Sequence, residues 1–373
     1  MTPPIDKHVA LWLGLSNKKA LEKTEGLVKA LASGKLSIFR LTKIPGLPED
    51  VEQITPPAWL SKSKPLGHTW IAIASLRHVT KNRPDLCMSI SLYPHGVIAR
   101  IAALITRSRF GIWFIGSDQY RHLMHPMASR LISPIMKKAD VVMCMGECSR
   151  DHLVDRGFAH DRILIGRNAY RLKEYTPLNN RSTSWDIVYT GRMDLKHKNL
   201  PLFLDSISKT INYIPNLKVI MIGDGPAMPW LKNEVERRGL ETHLTLTGHL
   251  NDVHEYLKRS RAFLMTSAWE GLPASIVEAF SCGLPVVSTN VGDISTICTH
   301  RHNSLLAKTH SSDEIAKLLQ QVLTDSRLLG NLTRGAIETG RMFRQESMEA
   351  SSRAWENVVS VATSEAAATS LHP

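Results

Sequence analysis

Short apolar runs alternate with segments of helical spacing along the first half of the chain. The strands predicted there are residues 8–13, 36–41, 87–92, 112–115 and 140–145, and the helices are 20–32, 70–79 and 97–106. Five prolines fall between residues 44 and 66, which predicts a long loop there because proline interrupts both helices and strands.

The second half repeats this alternation more regularly. Its predicted strands are 185–189, 218–222, 244–246, 262–265 and 285–288, and its helices are 200–211, 228–238, 253–259 and 275–280. Strands that alternate with helices of this length favour parallel sheets covered on both faces. We therefore predict an α/β chain of two doubly wound, Rossmann-like domains facing a cleft, with ligands beyond the carboxyl ends of the strands.

Composition agrees with a folded protein of this kind. The chain has 373 residues, of which 43% are hydrophobic and 21% charged. That length suggests two domains, and that balance excludes a wholly disordered chain, a collagen-like fibre and a disulfide scaffold.

Positive charge is concentrated in the first half. Residues 1–178 contain 26 Lys and Arg against 14 Asp and Glu, whereas residues 179–373 contain 20 of each, so the net charge of +12 belongs to the first half. The asymmetry indicates either an anionic partner, such as nucleic acid, an acidic membrane or an anionic substrate, or simply a solvated basic surface.

The cysteines and the apolar runs bear on location. The five cysteines form no CxxC or Cys/His zinc pattern, which favours thiols in a reducing cytosol. The N-terminus lacks the apolar core of a signal peptide, and no run of 18 apolar residues occurs. We expect a cytoplasmic protein whose membrane contact, if it has any, is peripheral.

The most informative stretch runs from residue 269 to residue 280 and contains Glu270 and Glu278. Glu270 falls in the loop before a helix that holds Glu278, and the residues Gly271-Leu272-Pro273 form the turn between them. Backbone N–H groups at such a turn suit phosphate oxygens, and carboxylates accept hydrogen bonds from the paired hydroxyls of sugars. Each glutamate taken alone is equally typical of a surface residue or a helix cap.

Two further features accompany these glutamates. Arg192 follows Gly191 at the end of a strand, and Lys198 precedes a helix, where two cations could neutralise a diphosphate. Taken alone, they are typical of exposed loop cations. Gly223 and Gly225 form a tight strand-to-helix turn, which by itself is weak support for a ligand site.

Together these motifs resemble glycosyltransferase family 4, whose nucleotide-sugar-dependent members have the GT-B fold. The resemblance is carried by residues 191–192, 198, 223–226, 248, 270–273, 278–279 and 283–287, in that order. It implies a retaining enzyme without a metal or other cofactor, and no Asp-x-Asp triplet is present. It also implies that Arg192 and Lys198 hold the donor diphosphate, Glu270 and the Gly271-Leu272-Pro273 amides the transferred sugar, and Glu278 the ribose.

The resemblance also implies that the two domains bind different substrates. Residues 1–176 are expected to bind the acceptor and residues 177–346 the donor. A helix over 347–363 would cross back to the first domain, and residues 364–373 would form a frayed tail.

The acceptor half matches the family more loosely. Asp118 resembles part of an acceptor-side loop, and His95 follows a strand end, although a lone histidine is more often structural. Many members carry a histidine where this chain has Ile115, and the double-glycine loop after the first strand is absent.

The resulting hypothesis is a transferase that moves a sugar from a nucleoside-diphosphate donor to a hydroxyl of a glycan or lipid-linked acceptor. The expected setting is cell-surface polysaccharide, lipopolysaccharide or glycolipid synthesis. The departures around Ile115 leave open a catalytically silent, sugar-nucleotide-binding scaffold subunit. We expect contact of the basic half with an anionic membrane and no nucleic-acid partner, because no nucleic-acid-binding motif is present.

Overall fold

The computed structural model describes residues 6–14, 17–31, 33–90, 92–115, 133–177 and 183–363. The chain divides into two compact units. The first comprises Met1–Tyr170 with Glu346–Pro373, and the second comprises Arg171–Gln345. The predicted boundary at residue 176 and the assignment of acceptor and donor to the two domains stay predictions.

The first unit is built on a seven-stranded parallel sheet. Its strands are β1 His8–Leu13, β2 Lys35–Phe39, β3 Glu52–Ile54, β4 Leu86–Ile90, β5 Arg109–Trp113, β6 Val141–Cys144 and β7 Ile163–Ile165. They lie in the order β3-β2-β1-β4-β5-β6-β7, so the order reverses between β1 and β4. Strands β1, β4 and β6 are buried along almost their whole length, which explains why they read as continuous apolar runs.

The helices of the first unit include one that begins earlier than the sequence predicts. They are α1 Asn17–Ala30, α2 Ala58–Ser61, α3 Lys64–Asn82, α4 Val97–Thr106 and α5 Glu147–Asp155. The long loop predicted over 44–66 was wrong, because it contains β3 and α2 and overlaps the start of α3. Pro65 lies in the first turn of α3, where its missing N–H has no helical partner to lose.

The second unit is built on a six-stranded parallel sheet. Its strands are β8 Trp185–Thr190, β9 Val219–Ile222, β10 Leu244–Leu246, β11 Ser260–Met265, β12 Val286–Thr289 and β13 Ser304–Ala307. Their order, β10-β9-β8-β11-β12-β13, reverses between β8 and β11. The two sheets confirm the predicted α/β class with two Rossmann-like units.

The last helix is longer than predicted. The helices after β8 are α6 Leu200–Ile211, α7 Met228–Arg237, α8 Val253–Lys258, α9 Ala274–Ser281, α10 Ser312–Thr324 and α11 Ser326–Thr363. The sequence predicts a helix only over 347–363, whereas α11 begins at Ser326 and contains Gly330, Gly335 and Gly340. Two of these glycines serve close packing: a Cβ at Gly335 would lie 2.2 Å from the His302 carbonyl oxygen, and one at Gly340 2.3 Å from that of Phe280.

Two further features can be read from the part of the chain that the structure describes. None of its helices is long and apolar enough to cross a membrane. All five cysteines lie within it, and none forms a disulfide bond.

Candidate functional site

The donor-side motifs meet where the strand order of the second sheet reverses. The loop after β8 carries Arg192 and Lys198, and the loop after β11 carries Glu270. Because β8 and β11 are neighbours while their connections leave in opposite directions, a crevice opens beyond their carboxyl ends. The fold thus brings together residues 72 positions apart.

Backbone and hydroxyl hydrogen bonds join these loops. The N–H of Ala268 donates to the His197 carbonyl oxygen over 2.9 Å, and Thr266 Oγ1 donates to that of Lys198 over 3.1 Å. At the next strand end, Thr289 Oγ1 donates to the Ser267 carbonyl oxygen over 2.8 Å. The position of each loop is therefore fixed by its neighbours rather than by its own sequence.

Lys198 and Glu270 form a buried ion pair at the centre of this arrangement. Lys198 Nζ lies 2.5 Å from Glu270 Oε1, which also accepts a hydrogen bond from Ser267 Oγ over 2.7 Å. Glu270 is only 7% exposed. Burial alone would raise the pKa of this carboxyl group, but the charges of Lys198 and His197 and the hydrogen bonds from Lys198 and Ser267 hold its pKa below the usual value. Glu270 is consequently an anion.

His197 lies against the same carboxylate. Its ring stacks on that of Trp269 with an interplanar angle of 10° and a centroid separation of 5.1 Å. Its Nε2 is 3.6 Å from Glu270 Oε1, which is too long for a hydrogen bond. Burial lowers the pKa of His197 more than the nearby Glu270 raises it, so the ring is neutral at neutral pH.

Three buried polar atoms of these two strand ends have no hydrogen-bond partner within the described residues. They are Thr190 Oγ1, His197 Nε2 and Trp269 Nε1. A buried polar atom without a partner costs about 1–3 kcal/mol, and proteins pair nearly all such atoms. Their position at the strand ends whose loops carry the Lys198–Glu270 pair indicates a place where a polar ligand completes the hydrogen bonding.

The glycine turn predicted from the sequence packs directly against the loop after β8. A Cβ at Gly223 would lie 1.8 Å from the Gly191 carbonyl oxygen, and one at Gly225 would lie 2.4 Å from that of Met193. The φ of Gly223 is 139°, a conformation that disfavours residues with a side chain. Gly223 and Gly225 are thus needed at least for close packing of the two loops, whereas a Cβ at Gly191 would lie 2.8 Å from Tyr189 Oη.

Gly271-Leu272-Pro273 leads into α9, which begins at Ala274. Pro273 is the residue before the helix, so it stands just outside the first turn that the sequence predicts for it. The first N–H groups of a helix lack partners within it, which suits them to oxygen ligands. Glu278 is half-buried within α9.

Arg192 is the least enclosed of the predicted donor-side residues. Its side chain is exposed, and its carbonyl oxygen accepts a hydrogen bond from Tyr189 Oη over 3.2 Å. The structure thus couples Lys198 to Glu270 directly and leaves the Arg192 side chain in solvent. The donor-side roles of all these residues stay predictions.

Of the two predicted acceptor-side residues, the structure describes only His95. Asp118 lies outside the described residues. His95 lies beyond β4 and beside Gly14, with only 3% of its surface exposed, and a Cβ at Gly14 would lie 2.7 Å from its Cε1. Burial, together with the nearby His68 and Arg40, lowers the pKa of His95 to about 3, so it is neutral. Its part in acceptor binding stays a prediction.

Sequence reasoning missed several residues of this site. His197 and Ser267 contact Glu270 but belong to no motif, and Gly292 would place a Cβ 1.8 Å from the Glu270 carbonyl oxygen. The one signal available in the sequence was His197, which stands beside Lys198 in a polar loop. No group of three or more His, Cys, Asp or Glu side chains suited to a metal ion is found in the described ranges.

Comparison with known proteins finds a family model that matches most of the second unit. Residues 173–341 match the model of the family described as "Glycosyl transferases group 1". An uncharacterized glycosyltransferase of Methanocaldococcus jannaschii is 23% identical over 237 residues, which cover 58% of this chain and 58% of that protein. The UDP-Gal:alpha-D-GlcNAc-diphosphoundecaprenol alpha-1,3-galactosyltransferase of Escherichia coli is 32% identical over 188 residues, covering 46% of this chain and 48% of that protein. The chain thus spans about half the length of these curated relatives.

A solved structure extends the likeness to almost the whole chain. Anabaena HepE, crystallised in complex with UDP and glucose, superposes with a TM-score of 0.76 at 17% identity. The superposition covers 94% of this chain and 99% of HepE. With the two parallel sheets, this likeness confirms the GT-B fold.

Proposed function

We propose that this protein is a retaining glycosyltransferase that moves a sugar from a nucleoside-diphosphate donor to a hydroxyl group of a glycan or lipid-linked acceptor. The observation that carries the proposal is the buried Lys198–Glu270 pair, which lies with three unpartnered polar atoms at the strand reversal of the second sheet. The family model that residues 173–341 match supports it.

The chemistry requires cleavage of the bond between the anomeric carbon and the diphosphate oxygen. Negative charge grows on the diphosphate as this bond breaks, and the electron pair leaves with the oxygen. Lys198 and Arg192 would stabilise that charge more strongly than they stabilise the intact donor, which is what lowers a barrier. Glu270 fixes the Lys198 ammonium in position before the donor arrives.

The remaining donor contacts follow from the same geometry. Both hydrogen bonds that Glu270 accepts end on Oε1, which leaves Oε2 for a hydroxyl of the transferred sugar. The N–H groups around Gly271-Leu272-Pro273 would bind oxygens of the same donor. Glu278 would accept hydrogen bonds from the ribose hydroxyls.

The proposed chemistry uses no metal and no other cofactor, because the two cations supply the positive charge. The transfer rate should therefore be unchanged when EDTA is added. A rate restored only by added Mg²⁺ or Mn²⁺ would contradict this part of the proposal.

Names of relatives support the choice of donor and acceptor. UDP and glucose accompany HepE in its crystal structure, which favours a UDP-sugar as donor. The relative from Escherichia coli is named for a diphosphoundecaprenol-linked acceptor. We accordingly propose a lipid-diphosphate-linked glycan as acceptor and the cytoplasmic face of the cell membrane as the place of action, in polysaccharide or lipopolysaccharide synthesis.

The experiment has two stages. A thermal-shift screen with UDP-, GDP- and ADP-sugars identifies the donor, and transfer is then measured with lipid-linked glycans. The proposal predicts stabilisation by one nucleotide class and transfer with retention of anomeric configuration. Donor binding without transfer across the acceptor panel would instead support a scaffold subunit, which no feature of the site favours.

A further inference from the structure

We propose that the outer side of α4 and the cations around it form a surface that docks on an anionic phospholipid bilayer. The α4 surface is defined by Ile101, Leu104 and Ile105, with Arg83 and Arg107 at its end. The proposal rests on the proposed function only in that transfer to a lipid-linked acceptor would require contact with a membrane. Binding to vesicles can be measured without transfer.

The outer side of α4 is apolar although it faces solvent. The side chains of Ile101, Leu104 and Ile105 are 43%, 61% and 53% exposed. Their spacing of three and four residues places them on one side of the helix. The opposite side is also apolar and is buried against the sheet, through Ile98, Ala99, Ala102 and Ala103. Folding of the unit therefore does not account for the exposed side.

Other exposed large apolar side chains occur in the same part of the chain. They are Trp59 in α2, Leu66 and Ile73 in α3, and Tyr93 shortly before α4. Helix α3 packs against both α2 and α4. A soluble surface seldom gathers so many apolar side chains unless it binds a partner.

This apolar region is strongly basic. Residues 55–108 contain seven cationic side chains: Lys62, Lys64, Arg77, Lys81, Arg83, Arg100 and Arg107. Asp85 is the single acidic residue in that range. Its carboxylate is already engaged with the start of β1, accepting a hydrogen bond from the His8 N–H over 2.8 Å and lying 3.6 Å from Lys7 Nζ. The region consequently has an unbalanced positive charge.

Several surface cations outside residues 55–108 form ion pairs, among them Lys29 of the first unit with Glu349. Arg238 pairs with Asp205 and with Glu234, and Lys209 pairs with Asp313. By contrast, no described carboxylate lies within ion-pair distance of any of the seven cations of residues 55–108. Unpaired cations beside apolar side chains are typical of surfaces that meet a charged partner.

The cations and the apolar side chains adjoin directly at the ends of α3 and α4. A cavity of about 210 Å³ there is lined by Thr80, Arg83, Ile105, Thr106 and Arg107. Ile105 therefore lines the same cavity as two arginines. This arrangement suits the boundary of a bilayer, where apolar side chains enter the acyl region and the cations remain among phosphate groups.

The observations favour a bilayer over the other partners. In a symmetric dimer through this surface, the same cations would face each other without carboxylates between them, which is unfavourable. Nucleic acid would attract the cations but would leave the isoleucines and Leu104 without a role, because backbone recognition relies on charge and hydrogen bonds. An anionic lipid surface uses both parts.

The test is flotation of the full chain with vesicles of equal parts phosphatidylglycerol and phosphatidylcholine, compared with pure phosphatidylcholine. We expect binding to the anionic vesicles only, and weaker binding as salt is added. Ile101→Ser, Leu104→Ser and Ile105→Ser combined should lower the partition coefficient about tenfold or more. Arg83→Gln with Arg107→Gln should lower it by about fivefold for each cation removed.

Matched controls separate this surface from a general effect of charge or hydrophobicity. Tyr213→Ser with Met342→Ser removes equally exposed apolar side chains from the second unit, and Lys232→Gln with Arg327→Gln removes two of its exposed cations. These controls should bind vesicles as the parent does. Turnover of a water-soluble donor by every variant should equal that of the parent, so failure of the docking proposal is distinguishable from failure of the transferase proposal.

Three results would overturn the docking proposal. The first is no binding of the parent chain to anionic vesicles, and the second is equal losses in the surface variants and their controls. The third is a parent dimer in sedimentation velocity that the α4 substitutions dissociate, because it would assign the surface to a second copy of the chain.

Discussion

The Lys198–Glu270 pair concentrates the chemistry of the site in two side chains. Removing two charges from water is costly, and the pair repays that cost only with good geometry and further hydrogen bonds. Glu270 has both, because Lys198 and Ser267 each donate to it and His197 lies close by. A buried pair with these hydrogen bonds fixes the position of an ammonium group, which is what binding of a diphosphate requires.

Glu270→Gln tests the cost of that pair. The variant leaves the Lys198 charge buried without a counter-ion and should lower the free energy of unfolding at pH 7 by about 3 kcal/mol. Urea unfolding followed by fluorescence measures this. Glu236→Gln, which changes an exposed glutamate of α7, should shift it by less than about 0.5 kcal/mol.

The same variant should change the response to acid. The pKa of Glu270 is lower in the folded protein than the value of 4.5 for an unperturbed glutamate. Its stabilisation is therefore complete above pH 4.5 and is lost as the pH falls through the folded pKa. Glu270→Gln should therefore make the free energy of unfolding less dependent on pH in the acid range. An unchanged pH dependence would contradict the lowered pKa of Glu270.

Gly292 shows how a residue without functional groups can support the site. It has a φ of 53°, and a Cβ there would overlap the Glu270 carbonyl oxygen at 1.8 Å. Gly292→Ala should therefore destabilise by about 3 kcal/mol or more, since it adds a steric overlap to the cost of a left-handed backbone. Gly239→Ala is the matched control, because Gly239 has a φ of 63° but open space around it, and should cost only about 1 kcal/mol. Equal losses in thermal or urea unfolding would show that the overlap is relieved without cost.

At this scale the sequence predicts the charged residues and misses their supports. Lys198 and Glu270 stand in an ordered set of motifs, so they could be selected before any contact was known. His197, Ser267 and Gly292 act through contacts that depend on the pairing of β8, β11 and β12. Such contacts arise from tertiary packing and have no local pattern.

At the scale of elements, the glycines of α11 mark its packing side. Gly335 and Gly340 meet the backbone of neighbouring segments, whereas nothing lies within 4 Å of a Cβ built at Gly330. Glycine lowers helix propensity equally at all three positions. The structure distinguishes them by what each one faces.

The same substitution should accordingly have opposite effects at two positions of this helix. Gly330→Ala should stabilise the protein by about 0.5–1 kcal/mol, because it restores helix propensity without a clash. Gly340→Ala should destabilise it by about 1–3 kcal/mol, because its Cβ would lie 2.3 Å from the Phe280 carbonyl oxygen. Chemical unfolding of the two variants measures both. The account of α11 fails if the two changes have the same sign.

The central strands were easier to predict than the helix limits, whereas the edge strands β3, β7 and β13 were not predicted. Buried parallel strands such as β4 and β9 are continuous apolar runs, so their place follows from the sequence. Helix α3 was predicted to begin at residue 70 because Pro65 looked like part of a loop. A proline in the first turn and a glycine at a packing side are both compatible with a helix, and local sequence does not separate these uses from true breaks.

For the molecule as a whole, charge and chemistry fall in different units. The excess of positive charge belongs to residues 1–178, while the motifs that indicate nucleotide-sugar binding belong to the neutral remainder. In the second unit, Lys198 forms a buried ion pair with Glu270. Arg238 and Lys209 also form ion pairs with carboxylates. Residues 55–108 of the first unit instead expose cations that have no ion-pair partner, beside apolar side chains. Transfer and membrane contact are thus proposed for separate surfaces.

The central claim is that Lys198 stabilises the diphosphate as it leaves. The direct test is the rate of sugar transfer by Lys198→Ala compared with Lys196→Ala, using the donor that stabilises the parent chain. Lys196 is an exposed lysine two positions away in the same loop, so its replacement removes the same charge without touching Glu270. We predict a loss of about a hundredfold or more for Lys198→Ala and a rate near that of the parent for Lys196→Ala. Equal rates for the two variants would contradict the account.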